Sequence, residues 1–445
     1  MAKPTKITAM EVKDIRFPTS LEKDGSDAMH ESPDYAVAYV VIDTDTGLSG
    51  HGTTFTAGRG TDIVCYAINT MKKMVVGRNL SDIFNNFGAY WREITNDDQT
   101  RWIGPEKGVT HLATAAIINA LWDLWAKMEG KPLWKLLVDM DAEQLVNTID
   151  FKYMSDALTK DEAIAILKKM DATKAKRESE ILKTGYPSYT TSCGWLGYSD
   201  EKITKLATEA MAQGTSRFKM KVGKDLQDDI RRARIFRQVI GFDRVWCVDA
   251  NQKWDVQESI DWMTALAPYK PLWIEEPTSP DDVLGHAAIA KALNPLGIGV
   301  ATGEMCQNRV MFKQFLQANA LQFCQIDACR VGGVNEVLAI ILMAAKFNVP
   351  VCPHAGGVGL CELVQHYSMF DYIRVSGSLE NRMTEFADHL HEHMLAPVAV
   401  KNGNYVPAKA PGFLVGIQPQ TLKDYEYPNG AAWQKLFDQG LFERE

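Results

Sequence analysis

Between Arg217 and Gly357, polar residues close short apolar runs at a repeating interval. Lys219 and Lys221 end the run from Arg217 to Val222, Asp249 ends Val245 to Val248, and Glu275 ends Leu272 to Ile274. Glu304 follows Ile298 to Gly303, Asp327 ends Leu321 to Ile326, and His354 follows Val349 to Pro353. Counted from Lys219, successive markers are 30, 26, 29, 23 and 27 residues apart. That interval fits one strand plus one crossover helix. A chain that repeats such a unit with apolar strands builds a parallel sheet or barrel. In a (β/α) barrel the reactive residues gather at the C-terminal strand ends. All six markers sit at that end, so the period predicts that they converge on one pocket. Isolated surface charges at strand ends would have no reason to share a register.

One barrel uses about 250 residues, whereas the chain has 445, so a second domain is expected. Its start reads differently from the barrel. Residues 5–17, 35–43 and 48–55 form an antiparallel meander, with a turn at Asp45-Thr46-Gly47. The polar gap from Pro18 to Asp34 is long enough to be either a functional lid or a solvated surface loop. Helices are expected at 61–76 and 80–95, and most clearly at 108–129, where the apolar positions recur at helical spacing and Gly130 and Pro132 supply the stop. The mixed charge of 156–184 predicts surface helices. Tyr186 to Cys193 is expected to open the barrel and Tyr372 to Ser376 to close it. The resulting division is an α+β capping domain at 1–185, with 395–445 packing back on it, and an α/β barrel domain at 186–394.

A formal net charge of −8 argues against nucleic acid and anionic membrane as partners but not against a small anionic substrate. No apolar run is long enough to cross a bilayer. The eight cysteines include no Cys-x-x-Cys pair, and Cys247, Cys324 and Cys352 lie inside apolar runs. Buried free thiols in a reducing compartment follow. The first residues carry no apolar signal core, which suggests a cytoplasmic location and leaves mitochondrial import open.

Three carboxylates on consecutive strands, Asp249, Glu275 and Glu304, would repel one another without a cation among them. An all-oxygen donor set suits Mg²⁺ rather than zinc. Lys219 and Lys221, two apart on one strand, share a face. Burial and like charge push a lysine pKa down from about 10.4, so Lys221 is expected to be a general base. Lys219 would depress its pKa and hold a substrate carboxylate. Asp327 and His354 end successive strands and suit an acid/base pair in which the carboxylate fixes the imidazole tautomer. A cation flanked by a base and an acid fits removal of a proton α to a carboxylate. His111 reads as a packed histidine. His389-Leu390-His391-Glu392-His393 lacks the His-Glu-x-x-His order and reads as structural.

These motifs, with Asp249-Ala250-Asn251, Glu275-Glu276-Pro277 and Gly130-Lys131-Pro132-Leu133-Trp134, resemble the enolase superfamily and, within it, the mandelate-racemase-like group. Asp24 to Met29, Trp102 to Gly108, Tyr189 to Cys193, Cys352 to Gly359 and Asp388 to His393 are further similar to the L-fuconate dehydratases of that group. The resemblance implies a capping domain over a (β/α)7β TIM-like barrel, one Mg²⁺ per active site on Asp249, Glu275 and Glu304, and a possible homo-oligomer. It implies dehydration of L-fuconate to 2-keto-3-deoxy-L-fuconate through an enediolate. Lys221 would abstract the C2 proton, and His354, oriented by Asp327, would help the 3-hydroxyl leave. Lys219, Asn251 and Glu385 would contact the substrate, while Gly25, Ser26, Asp27 and Tyr35 would select its far end. Other readings stay open: a different acid-sugar dehydratase, a racemase or epimerase on the same machinery, or a non-catalytic binding descendant.

Overall fold

A computed structural model describes residues 5–444. β1 (Ile7–Arg16), β2 (Ala36–Thr44) and β3 (Ser49–Thr56) form an antiparallel sheet in that order, with Arg16 opposite Ala36 and Ala36 opposite Thr56. The helix Gly108–Met128 lies directly on β3. A Cβ at Gly52 would sit 2.1 Å from the Ala116 carbonyl, so only glycine allows that approach. This helix is buried almost all round, not on one broad face, because it is enclosed by the sheet, the barrel and the chain's end. Its buried polar groups are matched accordingly: Trp122 Nε1 donates to Asn335 Oδ1 at 2.8 Å, and Asp123 accepts from the His51 and Phe413 amides. The expected helix at 80–95 is two helices, Leu80–Phe84 and Phe87–Thr95, the second capped by Asn86.

The parallel strands are β4 (Tyr186–Thr190), β5 (Arg217–Lys221), β6 (Val245–Asp249), β7 (Trp273–Glu275), β8 (Gly299–Thr302) and β9 (Phe323–Cys324), each hydrogen-bonded to the next. Val351 continues the sheet beside Cys324. From β10 (Thr384–Phe386), Glu385 N donates to Pro353 O at 3.2 Å, and β10 pairs with β4, closing the ring. Eight strand positions with a helix between each neighbouring pair give the (β/α)7β barrel. Its interior is filled by Tyr189, Cys247, Trp273, Ala301, Phe323, Cys352 and Met383.

Two expectations change. Tyr372 to Ser376 is not the last strand: Asp371–Ser376 is a buried π-helical turn continuing the helix Leu360–Phe370. A short apolar run with Ile and Val cannot be told from a buried helix by pattern alone. The C-terminal segment also divides its contacts. β11 (Val400–Lys401) and β12 (Asn404–Tyr405) form a hairpin whose second strand pairs with β4, opposite Pro187 and Tyr186. Only beyond it does the chain reach the meander, where Trp433 Nε1 donates to Arg16 O at 3.0 Å. All eight cysteines are free and seven are buried. Among the described residues no helix is long and apolar enough to cross a membrane.

Candidate active site

Strand register builds the centre of the site. Lys221 lies opposite Asp249 and Asp249 opposite Glu275, so one row of the barrel interior carries three ionisable groups. Glu304 joins them just beyond the end of β8. Oxygens of Asp249, Glu275 and Glu304 all lie within 4.8 Å of one another. Lys219 Nζ is 2.6 Å from Glu275, 2.8 Å from Glu385 and 3.2 Å from Asp249. Lys221 Nζ is 2.6 Å from Asp249 and donates to Asn251 Oδ1 at 2.9 Å. On the far side, His354 Nδ1 is 2.8 Å from Asp327 Oδ2, while Nε2 is 3.5 Å from Glu304. Gly356 N donates to Nε2 at 3.1 Å, so the neutral ring holds its proton on Nδ1. Protonated, it would offer an Nε2–H.

Crowding of like charge sets the titration. Burial and then Asp249 push Glu275 up to about 8. Burial opposes ionisation of Asp249 as well, but Lys221 and Lys219 hold it below the usual carboxylate range. Burial is the largest influence on Lys221 and lowers it, yet Asp249, Asp27 and Glu304 together outweigh it and raise the amine above its ordinary value. That corrects the expectation of a depressed lysine. Lys219 does work against protonation of Lys221 as reasoned, but the paired carboxylates dominate. For His354, burial is outweighed by Glu304, the Asp327 hydrogen bond and Glu385, which hold it at about 9. The donor set fits a hard divalent cation: three buried or half-buried carboxylates, no nitrogen or sulfur ligand, and a buried Glu276 Oε1 next door with no hydrogen-bond partner.

A cavity of about 330 Å³ opens above this centre. Lys221, Asn251, Glu304, Asp327, His354 and Glu385 face it, as do Gly25 and Asp27 from the 18–34 loop and Tyr35 just before β2. Glu385 Oε2 accepts from the Ala355 amide at 2.9 Å, whereas Glu380 is exposed. Gly25 is required: at φ +79, a Cβ there would lie 2.1 Å from the Tyr35 hydroxyl. Two expected substrate contacts do not reach the cavity. Ser26 turns away and donates to Leu196 O at 3.0 Å, tying the loop to the barrel. Lys219 is fully buried beneath the carboxylates.

Several lining residues have no role in the sequence expectations, among them His30, Thr191, Trp195 and Arg330. His30 Nδ1 lies 3.1 Å from Asp27 Oδ2; the Asp-x-x-His spacing was the available signal. The other three lie in strand-end loops, outside the strand-end period. His111 is packed, 3.1 Å from Gln307 O. The three clustered histidines diverge: His389 packs between Tyr35, tilted to it, and Trp195, edge-on to it, His391 bonds Glu362, and His393 bonds Thr421. They hold no common ligand.

Residues 15–138 match the family model described as "Mandelate racemase / muconate lactonizing enzyme, N-terminal domain", and 202–421 match "Enolase C-terminal domain-like". The chain is similar to mitochondrial enolase superfamily member 1 of Xenopus laevis, 60% identical with 97% of each chain covered. The human protein of that name has a crystal structure at 58% identity and TM-score 0.96, covering 97% of this chain and 99% of that one. An L-galactonate dehydratase of Hypocrea jecorina is 54% identical, with 96% of each chain covered. A racemase of Streptomyces coelicolor, solved with bound magnesium, matches at 25% identity and TM-score 0.73, over 94% of this chain and 99% of that one.

Proposed function

Because this chain belongs to the enolase/mandelate racemase superfamily, we propose that it is a magnesium-dependent dehydratase of acid sugars, converting L-fuconate to 2-keto-3-deoxy-L-fuconate and water. The observation that carries the reading is the opposition of Lys221 and the Asp327–His354 pair across a carboxylate triad, with Lys221, Glu304, Asp327 and His354 opening on one cavity. Asp249, Glu275 and Glu304 would hold one Mg²⁺ per site. When bound, the cation supplies positive charge that neutralises this triad and opposes the negative charge left on the substrate as its α proton departs.

The chain's own residues do the rest. Lys221, in its neutral form, takes the proton from C2, and Asn251, 2.9 Å from Nζ, orients the amine. His354 gives a proton from Nε2 to the departing 3-hydroxyl, and Asp327 fixes the ring through Nδ1. Lys219 stays beneath, a buried countercharge to Glu275 and Glu385 that positions the carboxylates. Asp27 and Tyr35 close over the substrate's far end. We assign 1–185 to the capping domain and 186–394 to the barrel, with the C-terminal segment shared between them.

L-Fuconate and L-galactonate differ only at C6, a methyl against a hydroxymethyl group. Phe55, Val64, Val109 and Leu112 line the cavity beside Thr56 and Arg59, and their apolar surface favours the methyl. The test is incubation with Mg²⁺ and a panel of acid sugars, with mass detection of a carbonyl product. A product lighter than L-fuconate by one water is expected. Turnover of another acid sugar but not L-fuconate would reject the substrate and keep the chemistry. Epimerisation without water loss would reject the dehydratase reading.

A further inference from the structure

Arg330 follows Asp327 by three residues and lines the cavity on the His354 side. Its backbone amide is engaged, since the Arg330 and Cys329 amides both donate to Asp327 Oδ1 at 2.7 Å. The loop is therefore wound onto the carboxylate that orients His354. The guanidinium is engaged much less. Nε donates to the Glu304 carbonyl at 3.2 Å, and one terminal nitrogen lies 3.0 Å from Met305 Sδ. No carboxylate pairs with it among the described residues, whereas Arg309 pairs with Glu106 and Glu336 and Arg374 with Asp171, and the buried Arg177 and Arg237, which also lack a carboxylate, are each satisfied by several backbone carbonyls. An arginine has five N–H donors in a fixed fork. One held at a cavity wall by a carbonyl and a thioether keeps donors directed at whatever fills the cavity. Thr191 also lines the cavity, and its buried Oγ1 has no hydrogen-bond partner. The remaining guanidinium donors find partners when a ligand with several oxygens fills the cavity.

We propose that Arg330 is a specificity-determining substrate-binding residue whose guanidinium donates to the hydroxyl oxygens beyond C3 of the acid sugar. The proposal rests on the acid-sugar reading above. The centre of the site already provides groups for the carboxylate, C2 and C3. Arg330 stands one loop away from Asp327, where the polyol chain must continue. Its hydrogen bonds form equally in the bound and reacting states, so they contribute to binding more than to turnover.

The test uses two pairs of variants of the full chain loaded with Mg²⁺. In an inactive Lys221→Ala background, calorimetry compares L-fuconate binding with and without Arg330→Met. The Kd is expected to rise about 10- to 100-fold. In the active background, Arg330→Met is expected to raise KM by a similar factor with kcat changed less than about threefold, and to compress the discrimination between L-fuconate and its C4 epimer. Arg330→Lys should recover part of the affinity but not the discrimination, because it keeps the charge and loses the fork. Equal Kd values in the paired proteins would overturn the assignment alone. A lowered kcat with unchanged KM and unchanged discrimination would do the same, showing that the side chain only supports the Asp327 loop. Failure of L-fuconate and of every other acid sugar to bind in both backgrounds would overturn this assignment together with the reading it rests on.

Discussion

Replacing Asp327 with Asn keeps the loop and removes the charge that governs His354. Asp327 Oδ1 accepts the Cys329 and Arg330 amides, and Oδ2 faces His354 Nδ1 at 2.8 Å. An Asn can keep its oxygen on the two amides and must then turn its NH₂ toward Nδ1. Two donors meet there unless the ring moves its proton to Nε2, where the Gly356 amide already donates at 3.1 Å. Either arrangement loses one good hydrogen bond. Coulomb's law at an effective dielectric of 20 gives the ion pair at most about 6 kcal/mol. Burial of Asp327 offsets much of that, and hydrogen bonds to charged groups are worth about 1.5–3 kcal/mol net. At 1.36 kcal/mol per unit, His354 should fall by roughly 1–2 units. Asp327 helps to hold His354 up at about 9, so the variant should titrate near 7–8. The sign follows: the acid form exists below the pKa, so the falling alkaline limb of kcat moves to lower pH by the same amount. The assay is NMR of labelled histidine in the metal-free protein from pH 5 to 10, with His354 assigned by its absence from His354→Asn. The kcat profile of the loaded enzyme accompanies it. A His354 pKa within about 0.3 units of the native one, or an unmoved alkaline limb, would refute the reasoning.

Other expectations follow from the same geometry. Lys221→Ala should lower turnover at least about 10³-fold and abolish exchange of the C2 hydrogen with solvent; retained exchange would assign the base elsewhere. Chelation should inactivate and Mg²⁺ restore, and activity indifferent to EDTA after dialysis would remove the metal assignment. Burial raises Glu275 to about 8; its stabilising contribution is therefore complete below about 4.5 and is lost as pH rises through 8. Mg²⁺ should accordingly raise Tm more at pH 8.5 than at pH 6, and equal increments would contradict the crowded triad. The apolar surface of Phe55, Val64, Val109 and Leu112 should favour L-fuconate over L-galactonate by about 10- to 100-fold in kcat/KM. Equal values would place C6 elsewhere.

The barrel was legible because its period is enforced by geometry. Each strand must return to the same end, so Lys221, Asp249, Glu275, Glu304, Asp327 and His354 recur at crossover intervals whatever lies between them. The closing strand was not legible, because Tyr372 to Ser376 carries the composition of a strand while continuing a buried helix. Thr384–Phe386, only three residues long, offers too little pattern to compete with it. Ser26 was misread because a loop's side-chain directions depend on its turns, and no period constrains them. Arg330 and Thr191 escaped for the same reason. The direction of the Lys221 shift depends on a neighbour across the sheet, Asp249 at 2.6 Å. The strand interval brings both residues to one pocket but does not fix that distance, on which the balance between burial and attraction turns.

The central claim is that one site removes a C2 proton and expels the 3-hydroxyl of an acid sugar. Incubation with L-fuconate and Mg²⁺ in deuterium oxide, followed by proton NMR, tests it most directly. The account predicts loss of the C2 hydrogen together with appearance of a 2-keto-3-deoxy product bearing solvent deuterium at C3. Deuterium entering C2 with the 3-hydroxyl retained would identify a racemase or epimerase instead. Unchanged spectra for L-fuconate and for every other acid sugar would contradict catalysis altogether.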